Sequence, residues 1–97
     1  MLNSKQRAYL MSLGSEEAPV LQIGKGGVTP ETVVSAEEVF NRRELFKGSI
    51  LKTCPDLPEV AADNLAARTH AELVKVIGRK FILYRPFKDE PKIVLPK

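Results

Sequence analysis

The sequence from residue 19 to residue 31, PVLQIGKGGVTPE, passes from an apolar run to a glycine cluster and then to a helix start. Pro19–Ile23 is short, apolar and bounded by turn-forming residues, a pattern typical of a buried strand. Thr29, Pro30 and Glu31 indicate a helix start, because threonine can cap, proline is preset for the first helical position and glutamate complements the helix dipole. This stretch therefore predicts a strand, a glycine loop and a helix in succession.

The segments on either side predict five further elements. An amphipathic helix begins with Ser4 as its cap and ends at Gly14, while the helix after Thr29 should run to about Arg43. The remaining elements are a strand over 45–52, a helix from a capping box at 56–59 through about Thr69, and a hairpin with strands 72–77 and 80–85 around Gly78 and Arg79.

The order of these elements, αβαβαββ, predicts the class of fold. A strand–helix–strand passage favours a right-handed parallel crossover, whereas the closing hairpin adds an antiparallel pair. We therefore predict an α/β fold of the two-layer α+β type, with a four-stranded mixed sheet covered by three helices. Residues 1–97 should form one domain, with 86–97 as a proline-containing C-terminal extension in which Lys92–Leu95 could add an edge strand.

Charge is unevenly distributed along the chain. Residues 73–97 hold seven basic and two acidic side chains, a net charge of +5, whereas residues 15–44 hold three basic and six acidic ones, a net charge of −3. The final quarter is therefore suited to a polyanion.

The sequence favours a cytoplasmic location. No apolar run approaches the roughly 20 residues of a membrane-spanning helix, and the N-terminus resembles neither a signal nor a transit peptide. The single Cys54 suits a reducing compartment, so we expect a cytoplasmic protein.

The glycine cluster has the chemistry of an anion-binding loop. Gly24, Gly26 and Gly27 permit close backbone approach, Lys25 supplies a cation, and the start of the following helix favours negative charge. The spacing lacks the GxxxxGK[ST] order of P-loops, and Thr29 stands where GxGxxG would need its third glycine. What remains is GxxG, with which KH-type modules clamp single-stranded RNA, and a plain turn is the alternative interpretation.

Several residues outside the loop carry groups that could bind a ligand or catalyse a reaction. Tyr84 could stack on a base, but strand alternation favours a place in the core. His70 lies near a predicted helix end, Cys54 has no neighbouring histidine and no cluster has metal-ligand spacing, so we expect neither an enzyme nor a metal or cofactor site. The basic residues outside the loop are candidates for RNA contact, with solvated surface as the alternative for each: Lys5, Arg7, Arg79, Lys80, Arg85 and Lys88.

Several segments of the sequence together match the pattern of one known family: LNSKQR at 2–7, IGKGGVT at 23–29, VIGR at 76–79 leading to LYRP at 83–86, and KIVLP at 92–96. With these segments the whole chain resembles the YhbY family, the stand-alone bacterial form of the CRM (chloroplast RNA splicing and ribosome maturation) domain. The resemblance implies a helix-first mixed-sheet fold similar to that of the C-terminal domain of the third bacterial initiation factor. It also implies an RNA-binding ribosome-assembly factor that associates with rRNA in precursors of the large subunit. Ribosomal proteins are further candidate partners.

Two other classes of function stay open beside a monomeric RNA-binding domain. The acidic second helix, with Glu37 and Glu38, could dock on a ribosomal protein and make RNA contact incidental. An anion-binding loop could also serve an enzyme that acts on a phosphorylated small molecule, which saturable nucleotide or sugar-phosphate binding would reveal.

Overall fold

The computed structural model describes residues 2–97 and has three helices and four strands in the predicted order. The strands form one sheet of order β1-β2-β4-β3, in which β1 pairs with β2 in parallel and the other pairs are antiparallel. The predicted αβαβαββ order and mixed sheet are therefore confirmed. The elements are α1 (Ser4–Ser15), β1 (Pro19–Ile23), α2 (Pro30–Phe40), β2 (Leu45–Ile50), α3 (Pro58–Thr69), β3 (Glu72–Ile77) and β4 (Lys80–Tyr84).

Helices cover both faces of the sheet. Phe46 and Leu83 belong to a core that α2 and α3 close, whereas Leu45 and Ile82 pack with Leu10 of α1. Neighbouring residues of a strand enter different clusters because their side chains point to opposite faces. The molecule thus has three layers where the sequence predicted two, since Leu10 gives α1 a buried contact of its own.

Both ends of α1 differ from the prediction. Asn3, and not Ser4, caps the helix: its side chain accepts from the Gln6 N–H, and the Gln6 side chain accepts from the Asn3 N–H in return. Gly14 lies inside the helix, where a Cβ atom would approach Cγ2 of Ile82 to 2.8 Å. The glycine therefore allows close packing of α1 on β4 and does not end the helix, which continues to Ser15.

The other two helices also end or begin away from the predicted residues. α2 ends at Phe40 instead of Arg43, because the chain must turn there for Glu44 and β2 to enter the interior. α3 begins with the backbone of Leu57 as its cap and no side-chain capping bond, so the predicted capping box at Asp56 is wrong. No helix among residues 2–97 has the length and apolarity needed to cross a membrane.

The C-terminal extension is not a strand. β4 ends at Tyr84, and the segment after it is held by the buried carboxylate of Glu44. That carboxylate accepts hydrogen bonds from the backbone N–H groups of Phe87, Lys92 and Ile93 at 2.7–2.8 Å. The edge strand predicted at Lys92–Leu95 is therefore wrong, because these backbone groups are bound to a side chain instead of a neighbouring strand. β2 likewise ends at Ile50, two residues before the predicted end.

Candidate nucleic-acid interface

The glycine loop is a tight turn at the end of β1. The Gly27 N–H donates to the Gly24 carbonyl at 2.9 Å, which closes the turn, and the two central residues, Lys25 and Gly26, are exposed. Gly27 has a φ of 70°, in the left-handed region that side chains disfavour. The loop therefore presents the backbone of two residues and the Lys25 ammonium at its tip.

The start of α2 supplies fewer free donors than the sequence suggested. The Thr32 N–H donates to the Thr29 hydroxyl at 3.2 Å, and the Thr29 N–H donates to the Thr32 hydroxyl at 3.1 Å. Pro30 has no N–H, so among the first-turn amides only the Glu31 N–H is not used by this capping box. Thr29 therefore shapes the loop through its cap, while the exposed tip and Lys25 remain as the candidate contacts for an anion.

Arg79 and Lys80 lie at the same edge of the sheet as the glycine loop. This is the end of the sheet formed by the C-terminal ends of β1 and β2 and by the β3–β4 turn, and we call it the loop end. The Leu51 N–H donates to the Ile23 carbonyl at 2.8 Å, and the Arg79 guanidinium donates to the Leu51 carbonyl at 3.2 Å. Arg79 is thus joined to the end of β1 through one residue.

Lys52 is an exposed basic residue at the loop end that the sequence interpretation missed. It follows β2, which runs parallel to β1. Because parallel neighbours end at the same edge of a sheet, this order alone could have indicated its position. One carboxylate also lies close to the loop: Oδ2 of Asp56 is 3.5 Å from the position of a Cβ atom on the buried Gly27.

The other predicted basic contacts lie at the opposite end of the sheet. The Arg7 guanidinium donates to the carbonyls of Leu73 and Val74 and so ties α1 to the start of β3. Lys5 is exposed on the first turn of α1 at this same end. Arg85 follows the last residue of β4, so the whole length of that strand separates it from Lys80. These three residues are not brought to the loop.

The Arg85 side chain is bound to three partners within the protein. Its guanidinium forms an ion pair with Glu37 at 2.9 Å and donates to the Thr69 carbonyl at 2.9 Å. The same group lies over the Phe40 ring, with 4.6 Å between the guanidinium carbon and the ring centroid. Arg85 therefore links the ends of α2, α3 and β4.

Arg85→Met should lower stability and leave the loop end intact. We expect a loss of about 1–2 kcal/mol in the free energy of unfolding, because a charged hydrogen bond and a cation–π contact disappear while the partly exposed ion pair contributes little. Urea unfolding measures the loss, with Arg42→Met, at an exposed position, as the control. A folded Arg85→Met protein that loses RNA affinity as strongly as a loop variant would contradict this assignment.

Tyr84 is a core residue and not a stacking platform. Its side chain is only 4% exposed and packs in the cluster beneath α1. Burial, and to a lesser degree the neighbouring Glu44 carboxylate, raises the pKa of the Tyr84 phenol above its ordinary value, so the group is neutral at physiological pH. The interpretation as a core residue is confirmed.

The remaining candidates for chemistry have structural positions. His70 ends α3 in the left-handed conformation, with a φ of 56°, and its N–H donates to the carbonyls of Ala66 and Ala67. Cys54 is a buried free thiol. Among residues 2–97, no three side chains of the His, Cys, Asp or Glu type are grouped as a metal site would require.

The loop and the sheet around it are those of a known family. The sequence matches the family model for the CRS1 / YhbY (CRM) domain over residues 2–85. The chain belongs to the CRM domain family. Its CRM relatives include the protein named Probable RNA-binding protein YqeI of Bacillus subtilis (strain 168), which is 34% identical over 96 residues that cover 99% of this chain and 100% of the relative. A protein of Haemophilus influenzae named RNA-binding protein is 30% identical over 96 residues, 99% of this chain and 96% of that relative.

The CRM fold is also seen in a solved relative. The solution structure of the hypothetical protein SAV1595 from Staphylococcus aureus, described as a candidate RNA-binding protein, superimposes with a TM-score of 0.84. The two chains are 38% identical, and the match covers 99% of this CRM domain and 100% of the other chain. The family resemblance inferred from the sequence is therefore confirmed, and these relatives are named for RNA binding and not for a catalysed reaction.

Proposed function

We propose that this CRM domain binds RNA without catalysing a reaction, and that its GxxG loop holds the nucleic-acid backbone. The observation that carries the proposal is the exposed Lys25–Gly26 tip on a turn that the Gly24–Gly27 hydrogen bond fixes. A fixed turn without side chains at its glycines lets a phosphate approach the backbone closely, as in KH-type modules. The names of the relatives from Bacillus and Haemophilus support RNA as the polyanion.

Basic residues at the loop end favour a phosphate backbone over a neutral ligand. Lys25, Lys52, Arg79 and Lys80 are all exposed there. Asp56 approaches the loop at the buried Gly27 and not at its exposed tip, so it does not occupy the place where a phosphate would sit. Binding through such cations should weaken steeply as salt rises, because each neutralised phosphate releases counterions.

The proposed target is rRNA in precursors of the large ribosomal subunit, bound in the cytoplasm by a monomer. This finer assignment is supported by the family resemblance, which implies ribosome assembly, and by a loop suited to single-stranded segments of a folded RNA. A protein-docking role has weaker support from the geometry, because Glu37 on the acidic helix is already paired with Arg85.

Gly26→Asp should weaken RNA binding about tenfold, which corresponds to roughly 1.4 kcal/mol. The aspartate would place a negative charge at the exposed tip. Its Cβ atom would lie 3.3 Å from Cγ2 of Thr29, a close contact that requires a small shift of the Thr29 side chain. The matched control is Gly26→Asn, which adds nearly the same volume without the charge. Binding is measured at moderate salt with protein-free transcripts of large-subunit rRNA fragments.

The order of affinities tests the proposal. Wild type should bind most tightly, Gly26→Asn less tightly and Gly26→Asp least. The two variants share the same contact with Thr29 and should have similar melting temperatures. Equal affinities for all three folded proteins would refute the role of the loop. Wild-type protein that binds precursor particles but no naked rRNA would favour docking on a ribosomal protein through α2.

A further inference from the structure

α1 covers only part of its face of the sheet. The helix packs Gly14 against Ile82 and ends at Ser15, so the sheet between that point and the loop end has no helix above it. Ile77, near the tip of the hairpin, is 52% exposed on this uncovered part. One row of paired residues crosses all four strands here: Gln22, Ser49, Lys80 and Ile77.

Three lysines surround this uncovered surface. Lys47 of β2 and Lys75 of β3 both pair with Ile82 of β4, from opposite sides, so they lie two strands and roughly 10 Å apart. Lys80 is two residues before Ile82 on the same face. We call Lys47, Lys75, Lys80 and Ile77 the lysine face. It lines a depression of about 170 Å³, and none of the side chains lining it within residues 2–97 is acidic.

The Lys47 ammonium is already held at the rim of the depression. Its Nζ donates to the carbonyl of Ser15 at 2.8 Å, at the C-terminal end of α1, where carbonyls lack helical partners. An ammonium has three donors, so this bond leaves two for an anion. A partly fixed side chain also loses less freedom on binding than a free one.

We propose that the lysine face is a second contact for the RNA backbone, reached by the segment of the strand that continues from the GxxG loop. The inference rests on the proposed RNA binding. Three cations without a lining carboxylate are complementary to a chain of phosphates, and the exposed Ile77 offers apolar contact to a sugar or base. GxxG loops of the KH type clamp single-stranded RNA, so the proposed occupant is a single strand that continues from the loop.

The position of Lys80 joins the two contacts. Lys80 begins β4 at the loop end, directly after Arg79, and it also belongs to the lysine face. A strand that leaves the loop tip can therefore pass Arg79 and turn onto the sheet without crossing an uncharged gap. The bound RNA would follow two sides of the hairpin instead of ending at the loop.

The test is the salt dependence of binding to single-stranded rRNA fragments. Each lost phosphate contact lowers the slope of log affinity against log salt by roughly 0.7 for a single strand, so Lys47→Gln/Lys75→Gln should make the slope about 1.4 shallower. The matched control, Lys92→Gln/Lys97→Gln, removes the same charge from exposed positions on the C-terminal extension and should leave the slope nearly unchanged.

Gly26→Asp, measured in parallel, separates this inference from the proposed function. If Gly26→Asp weakens binding while the lysine-face double variant behaves like its control, the second contact is overturned and the loop stands. If the wild type binds no RNA, both are overturned. Photo-crosslinking with RNA that contains 4-thiouridine gives an independent measurement: crosslinks at Lys47, Lys75 or Ile77 support the lysine face, and crosslinks confined to the loop end overturn it.

Discussion

Gly48→Ala should lower the free energy of unfolding by about 3 kcal/mol, a large part of the 5–15 kcal/mol that is typical of a small domain. A Cβ atom at Gly48 would lie 2.2 Å from Cζ of Phe81, far inside van der Waals contact. Phe81 is fully buried in the core beneath α2 and α3, so its ring cannot move aside without displacing other side chains. β2 would have to shift relative to β4, and the core would lose its packing.

Two controls separate this overlap from the ordinary effects of replacing glycine. Ser49→Ala changes the neighbouring position and should be nearly neutral. Gly78→Ala has open space around the new methyl group but a φ of 60°, so it should cost about 1 kcal/mol through backbone strain alone. Urea unfolding of all three variants gives the comparison. A loss of stability for Gly48→Ala no larger than that for Gly78→Ala would contradict the steric explanation.

A second substitution should compensate for the overlap. Phe81→Leu in the Gly48→Ala background should restore part of the stability, because the smaller side chain leaves room for the methyl group.

Gly48 also illustrates what local sequence patterns can and cannot reveal. A local pattern shows only a glycine within a strand, which is unfavourable there because glycine has a low preference for β-structure. Its role depends on Phe81, which lies 33 residues later and opposite it in the antiparallel pair. The register of that pair is a property of the assembled sheet, so no local pattern indicates the contact.

The glycine loop could be predicted because its signals are local. The apolar run, the glycines and the Thr29–Pro30 helix start all lie within 13 consecutive residues, and the structure keeps them in that order. The distribution of cations around the loop was predicted less well. The sequence predicts both Arg85 and Lys80 as RNA contacts, although the four extended residues between them place the two roughly 17 Å apart.

Cap positions failed for a related reason. Asn3 and Ser4 are both good capping residues, and Asp56 followed by Glu59 fits a capping box. The structure selects Asn3 because Gln6 completes a box with it, and it caps α3 at Leu57, one residue after the predicted cap. Asn3 and Ser4 have similar intrinsic preferences for the cap position, whereas leucine is disfavoured there, so the choice of Leu57 over Asp56 depends on the surrounding structure.

Glu44→Gln should release the C-terminal extension and cost about 2–3 kcal/mol of stability. Oε2 of Glu44 accepts from the Phe87 N–H, while Oε1 accepts from the N–H groups of Lys92 and Ile93. A glutamine has nearly the same shape but only one acceptor oxygen, so its amide group must face at least one of these backbone donors. Because Glu44 is 3% exposed, water cannot easily satisfy the group that loses its partner.

Glu44→Gln should loosen the C-terminal extension as well as lower the stability of the whole domain. Limited trypsin digestion should cleave Glu44→Gln faster than the wild type after Lys88 and Lys92, and urea unfolding should show the loss of stability. Glu38→Gln, at an exposed position of α2, is the matched control and should change neither result. Glu44 immediately precedes β2, at the end of the sheet opposite the glycine loop, so the folded variant should bind RNA as the wild type does. Unchanged cleavage would show that the extension is held by its apolar contacts through Ile93 and Leu95. A loss of RNA affinity in the folded variant would mean that the extension itself contributes to binding.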